Sequence, residues 1–153
     1  MRLFPFFKKK EFFSETEKEQ IVHAIKEAET QTSGEVRVYV ESKCRFMDPV
    51  HRAIEVFHSL KMENTEHHNA VLIYVALKDR QLAVYGDSGI HEKTGDEYWQ
   101  SAVNAMLVHF NKENYADGIS HVVKEIGETL KDEFPYDKHT NKNELPDDIV
   151  FGK

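Results

Sequence analysis

A single cysteine, Cys44, stands in a chain of 153 residues. No intrachain disulfide can form, and one thiol suits a reducing compartment. Long apolar runs are also missing. No window approaches the ~18 consecutive apolar residues of a membrane-spanning helix. Basic charge is scarce: Lys and Arg total 20 against 27 Asp and Glu, a formal net charge of -7. Nucleic-acid binding needs a basic footprint, so this balance argues against that class and is compatible with a cation as ligand. The chain has no H-E-x-x-H, no phosphate-binding P-loop pattern and no C-x₅-R, since Cys44 is followed directly by Arg45.

What is present is a globular composition, 40% hydrophobic and 31% charged, of a length that suits one domain. The opening "MRLFPFFKKKEFF" places aromatics before lysines, the reverse of a secretory leader, and no small-residue cleavage site follows. The expected compartment is therefore cytoplasmic, with the Phe-rich segment 1–13 a strap on the core or a contact for a membrane or a partner. The domain is expected over 1–135, and 136–153 reads as a polar, extended tail. Its closing "IVFG" is expected either to add an edge strand or to pack on the surface.

Periodicity orders the elements. Ser14 and Glu17 have capping-box spacing, and Ile21, Ala24, Ile25 and Ala28 follow at helical period, which predicts a helix over 14–31. "EVRVYVE" alternates as a strand with unequal faces. Asp48 and Pro49 open a second helix with Val50, Ile54 and Phe57 on its stripe. "AVLIYVAL", continuously apolar and β-branched, reads as a strand buried on both faces. The short "KDR" forces "QLAVYG" to return antiparallel. Thr94 and Glu97 form another capping-box spacing ahead of Trp99, Val103, Met106 and Phe110, and a final helix carries Ile119 to Leu130. The order α-β-α-β-β-α-α, with helices on both faces of a small mixed sheet, is an α/β fold.

The segments "TSGEVRVYVESKC", "NAVLIYVALKDRQLAVYGDSGI", "YADGI" and "LKDEFPY" together resemble the TPM domain, over about Phe12 to Tyr136. The family is also described through thylakoid-lumen, photosystem-repair and receptor-modulating members, and the compact bacterial form is the most similar. The resemblance implies a three-layer α/β/α sandwich around a small mixed sheet. It also implies divalent-cation binding, calcium in particular, and an acid phosphatase activity attributed to a plant member. Many members carry a signal peptide and a membrane anchor; this chain reads as the bare domain.

Strand directions divide the polar residues between two ends. At the crossover end, beyond the carboxyl termini of the parallel strands, Glu41, Asp48 and Asp79 are candidate oxygen ligands for calcium or magnesium, and Arg80 or Arg45 could hold a phosphate. At the opposite end, Glu35, Asn69 and Asp87 could coordinate a cation, with His68 or His91 better suited to zinc. The "GDSG" glycines, Gly86 and Gly89, are expected to permit positive φ in a turn, and the spacing denies Ser88 the seat of a hydrolase nucleophile. Three functions follow: a cation-binding module with an interaction or regulatory role, a metal-assisted phosphomonoesterase, or a purely protein-binding domain.

Overall fold

The protein is described by a computed structural model covering residues 12–44, 47–110, 114–136 and 148–152. Helix α1 (Glu15–Glu29) starts as its sequence dictates: the Ser14 hydroxyl accepts from the Glu17 amide, and the Glu17 carboxylate accepts from the Ser14 amide. It ends before Gln31 because the Thr30 N–H and hydroxyl turn back to the Glu27 carbonyl. Then come β1 (Glu35–Glu41), α2 (Pro49–Ser59), β2 (Ala70–Ala76) and β3 (Gln81–Gly86). The chain continues with α3 (Ser88–Thr94), α4 (Asp96–Phe110), α5 (Tyr115–Glu133) and the two-residue β4 (Val150–Phe151).

Among the described residues the sheet is four-stranded and open, in the order β3-β2-β1-β4. β1 runs parallel to β2, with Glu35 opposite Ala70 and Glu41 opposite Ala76, and β3 returns antiparallel to β2. "IVFG" supplies an edge strand: β4 pairs parallel with β1, and Phe151 stacks on Phe12 with ring centroids 5.8 Å apart. Every residue of β2 is buried, so both faces must be covered. Val71, Ile73 and Val75 join Val36, Val38, Val40, Leu82 and Val84 in a core with α1, α4 and α5. Leu72, Tyr74 and Ala76 turn the other way, onto Ala53, Val56 and Phe57 of α2 and onto Met62. This is the expected α/β/α arrangement. Fully burying one such aliphatic or aromatic side chain stabilises the fold by about 1.5–3 kcal/mol.

Of the N-terminal segment, Phe13 is buried in the larger core and Phe12 packs against it, while residues 1–11 lie outside those described. The same holds for most of the expected tail, 137–147. Among the described residues, no helix is long and apolar enough to cross a membrane.

Two local expectations need correction. Ser88 to Thr94 is a helix, so Thr94 closes α3 with its hydroxyl on the Ile90 carbonyl, rather than capping the next helix. The break falls at Gly95, whose φ of 82° few other residues adopt. Gly86 and Gly89 are also needed for a different reason. Neither has positive φ. A Cβ on Gly86 would stand 2.3 Å from the Trp99 ring, and one on Gly89 would stand 2.1 Å from the His67 carbonyl oxygen. These glycines let α4 and the segment before β2 approach closely.

The Gly89 contact is with backbone, which cannot swing aside as a side chain can. Gly89→Ala should lower the unfolding free energy by about 3 kcal/mol in urea denaturation, while the exposed neighbour Ser88→Ala should change it by less than about 0.5 kcal/mol. Equal stabilities for the two variants would refute the close-approach reading.

Candidate functional site

The fold carries polar residues at both ends of its parallel strands. At the crossover end the expected ligands are each engaged by their own neighbours. Glu41, 6% exposed, receives a two-point fork from Arg52 of α2, Nε to Oε2 at 2.8 Å and Nη2 to Oε1 at 2.9 Å. The Tyr74 hydroxyl donates to the same Oε2. Arg52 also donates to Glu55 and lies over the Tyr39 ring, 5.9 Å from its centroid. A buried carboxylate is tolerated here because its charge and lone pairs are answered. The hydrogen bonds from Arg52 to Glu41 hold the guanidinium pKa above its ordinary value.

Asp48 is a helix cap. Its Oδ1 accepts from the Val50 and His51 amides at 3.0 Å each, and the His51 N–H bond leads in holding its carboxyl below the usual value. Asp79 Oδ2 accepts from the Cys44 amide at 2.8 Å, tying the β2–β3 turn to the end of β1. Arg80 is exposed, with a φ of 52° in that turn. Arg45 lies outside the described residues. Glu41, Asp48 and Asp79 thus do separate structural tasks.

At the opposite end Glu35, Asn69 and Asp87 are 2%, 0% and 9% exposed. Ala70 stands between the two acids: it pairs with Glu35 across β1–β2, and its carbonyl accepts from the Asp87 amide at 2.9 Å. Asp87 is the N-cap of α3, with Oδ1 accepting from Ser88 N–H at 2.7 Å. Its Oδ2 is buried without a hydrogen-bond donor, and His68 Nδ1 approaches to 3.4 Å, within ion-pair range. The Asn69 amide donates to Ser33 Oγ at 3.3 Å, while Asn69 Oδ1 is buried without a partner. So is Thr65 Oγ1, on the loop between α2 and β2. Arg37, on the same face of β1 as Glu35, is buried, and burial lowers its pKa. Among the described residues, no three His, Cys, Asp or Glu side chains converge into a set that could hold a metal ion.

Of the two zinc candidates, His68 faces Asp87 and His91 is otherwise occupied. His91 Nδ1 accepts from the Trp99 indole at 2.9 Å, and its Nε2 lies 3.2 Å from Asp96 Oδ1. Sequence reasoning missed Arg52, Tyr74 and Thr65. Tyr74 could have been found, because a hydroxyl inside a two-sided apolar strand must seek a partner. Arg52 and Thr65 gave no such signal.

An open mixed sheet enclosed by α1, α3, α4 and α5 on one face and α2 on the other, with buried acids at both strand ends, defines an α/β/α sandwich domain. The chain belongs to the TPM domain family, whose model matches residues 7–129. It is similar to the BA42 protein of the psychrophilic bacterium Bizionia argentinensis, at 40% identity and a TM-score of 0.86, over 95% of this chain and 99% of that one. It also shares its fold with the N-terminal domain of the cg2496 protein of Corynebacterium glutamicum, at 17% identity and a TM-score of 0.63, over 78% and 74% of the two chains. A search of curated proteins gave no match.

Removing Arg52 would strand the Glu41 charge. Arg52→Ala should cost about 3 kcal/mol in urea denaturation, against less than about 1 kcal/mol for Glu55→Ala at the exposed side of the same cluster. Equal losses would show that the Glu41 fork is not the dominant contact.

The tyrosines set a pH response. Burial, aided by nearby carboxylates, raises the hydroxyl pKa of Tyr39, Tyr74 and Tyr85 above the ordinary 10.0, and burial leads in raising Tyr98 too. Folded-state values above unfolded ones give stability that is complete below about pH 10 and lost as pH rises beyond it. Denaturation at pH 8 to 11 should show that fall, with a shallower slope in Tyr74→Phe. A flat profile would contradict it.

Proposed function

We propose that this TPM domain binds a divalent cation, calcium or magnesium, at the Asp87 end of the sheet, and that it acts as an interaction or regulatory module. The observation supporting this is three buried oxygens on the segments that lead into β2 and α3. Among the described residues, Asp87 Oδ2, Asn69 Oδ1 and Thr65 Oγ1 are all out of solvent without hydrogen-bond partners, Asp87 Oδ2 having only His68 at ion-pair distance. Unanswered buried oxygens carry a desolvation cost of about 1–3 kcal/mol each, which a hard cation would remove. Asp87 supplies charge, and Glu35 adds a second buried carboxylate beside the same strand ends. Calcium takes six to eight oxygen ligands, from carboxylates, amide carbonyls, main chain and water alike, so two acids and an asparagine suit it without a third acid. Oxygen chemistry also favours calcium or magnesium over zinc, since His91 is held by Trp99 and Asp96.

A cation at this end would join the loop carrying Thr65 and His68 to the start of α3. That gives it a means of regulation, because the loop's geometry would follow metal occupancy. Phosphomonoester hydrolysis has less support. Ser88 lies exposed at the first position of α3, and Cys44 is buried with its thiol on the Met47 carbonyl at 3.3 Å.

Calorimetric and amide-shift titrations with calcium, magnesium and zinc test the reading. Calcium or magnesium should saturate below millimolar concentration, shift the amides of 65–70 and 87–90, and lose binding at least tenfold in a folded Asp87→Asn variant. No saturable binding, or binding unchanged in Asp87→Asn, would overturn it. Binding to the native state alone should also raise the unfolding free energy by about 2.7 kcal/mol at a hundred times the dissociation constant.

A further inference from the structure

At the crossover end, about 20 Å along the strands from Asp87, a cleft of about 560 Å³ is lined by Glu41, Ser42, Lys43, Met47, Arg52, Glu55 and Lys78. Its charges are unevenly satisfied. Both lining carboxylates are engaged on Arg52, which forms the two-point fork with Glu41 and a further bond to Glu55. Lys43 and Lys78 have no such partner: among the described residues, neither has a carboxylate within ion-pair distance. The main chain also fixes these two lysines as neighbours. Lys78 donates its amide to the Ser42 carbonyl at 2.8 Å, and Lys43 is the next residue after Ser42. Two lysines that follow the ends of adjacent parallel strands therefore line one cleft. Two like charges carried by neighbouring residues of one cleft repel, and an anion bound between them would relieve that cost.

We propose that this cleft is a binding site for a small oxyanion, in which Lys43 and Lys78 supply the charge, Ser42 a hydroxyl, and the Arg52–Glu41 pair a fixed floor. Among the described residues, the lining carries a net charge of +1, from three cations and two carboxylates, in a chain of -7. The attraction is therefore local, and the ligand is small. Ammonium groups act as point charges without the planar fork of arginine, so they accept a tetrahedral phosphate or a planar carboxylate alike. The cleft lies beyond the carboxyl ends of parallel strands, where open α/β sheets commonly seat ligands. Met47, partly exposed on the rim, offers an apolar surface to the remainder of a larger anion. The site is independent of the proposed cation site and stands or falls separately. It also differs from an Arg80–Arg45 phosphate site, because Arg80 is not among the residues that line the cleft.

The test uses metal-stripped full-length protein at low ionic strength, titrated with inorganic phosphate in one arm and malonate in the other. Backbone amide shifts at Ser42, Lys43 and Lys78 are followed. Saturation below about 10 mM by phosphate, malonate or both, weakened at least tenfold in Lys43→Gln/Lys78→Gln and by added sodium chloride, would establish the site. The two arms then show which oxyanion it prefers. The lysines are exposed, so the double variant should fold, and its amide spectrum checks this. Asp87→Asn should bind the anion as the parent does, which separates this result from that of the cation titration. No saturation in either arm, or equal binding in the double variant, would overturn the proposal.

Discussion

The burial of β2 on both faces is the constraint on which the rest depends. A strand whose seven residues are all out of solvent cannot sit in a two-layer domain. One face calls for α2, and the other for α1, α4 and α5. The short β2–β3 turn fixes β3 as an antiparallel neighbour, and the α2 crossover fixes β1 as a parallel one. Once β1 and β2 run together, their ends separate the polar residues into two groups with different fates.

At the carboxyl ends the acids are consumed within the protein. Glu41 is matched by Arg52 and Tyr74, Asp48 caps α2, and Asp79 ties Cys44 to the β2–β3 turn. What is left over there is positive, the two lysines of the cleft. Toward the amino ends, Asp87 Oδ2, Asn69 Oδ1, Thr65 Oγ1 and the Arg37 Nε are buried without hydrogen-bond partners among the described residues. The two ends of the same sheet therefore leave different groups unpaired, although the chain as a whole is acidic.

Much of the fold was legible because its signals are local. The Ser14–Glu17 box, the Asp48–Pro49 helix start and the apolar run of β2 each depend on residues a few positions apart, and each forms as read. Helix α3 was not legible, because seven residues are too few to show a period and Gly89 inside it reads as a loop. The purpose of Gly86 and Gly89 was hidden too, since the atoms that crowd them belong to Trp99 and His67. At the crossover end, the partners of Glu41 lie 11 and 33 residues away in sequence. Strand direction could bring the acids to one end without revealing that Arg52 and Tyr74 would meet Glu41 there.

The central claim is that the Asp87 end, rather than the crossover end, receives the cation. A crystal structure of the protein grown with calcium, read by anomalous scattering, tests it most directly. The account predicts an ion with oxygen ligands at about 2.3–2.6 Å that include Asp87 Oδ2 and Asn69 Oδ1. An ion seated instead among Glu41, Asp48 and Asp79, or saturating calcium with no ion at either end, would contradict it.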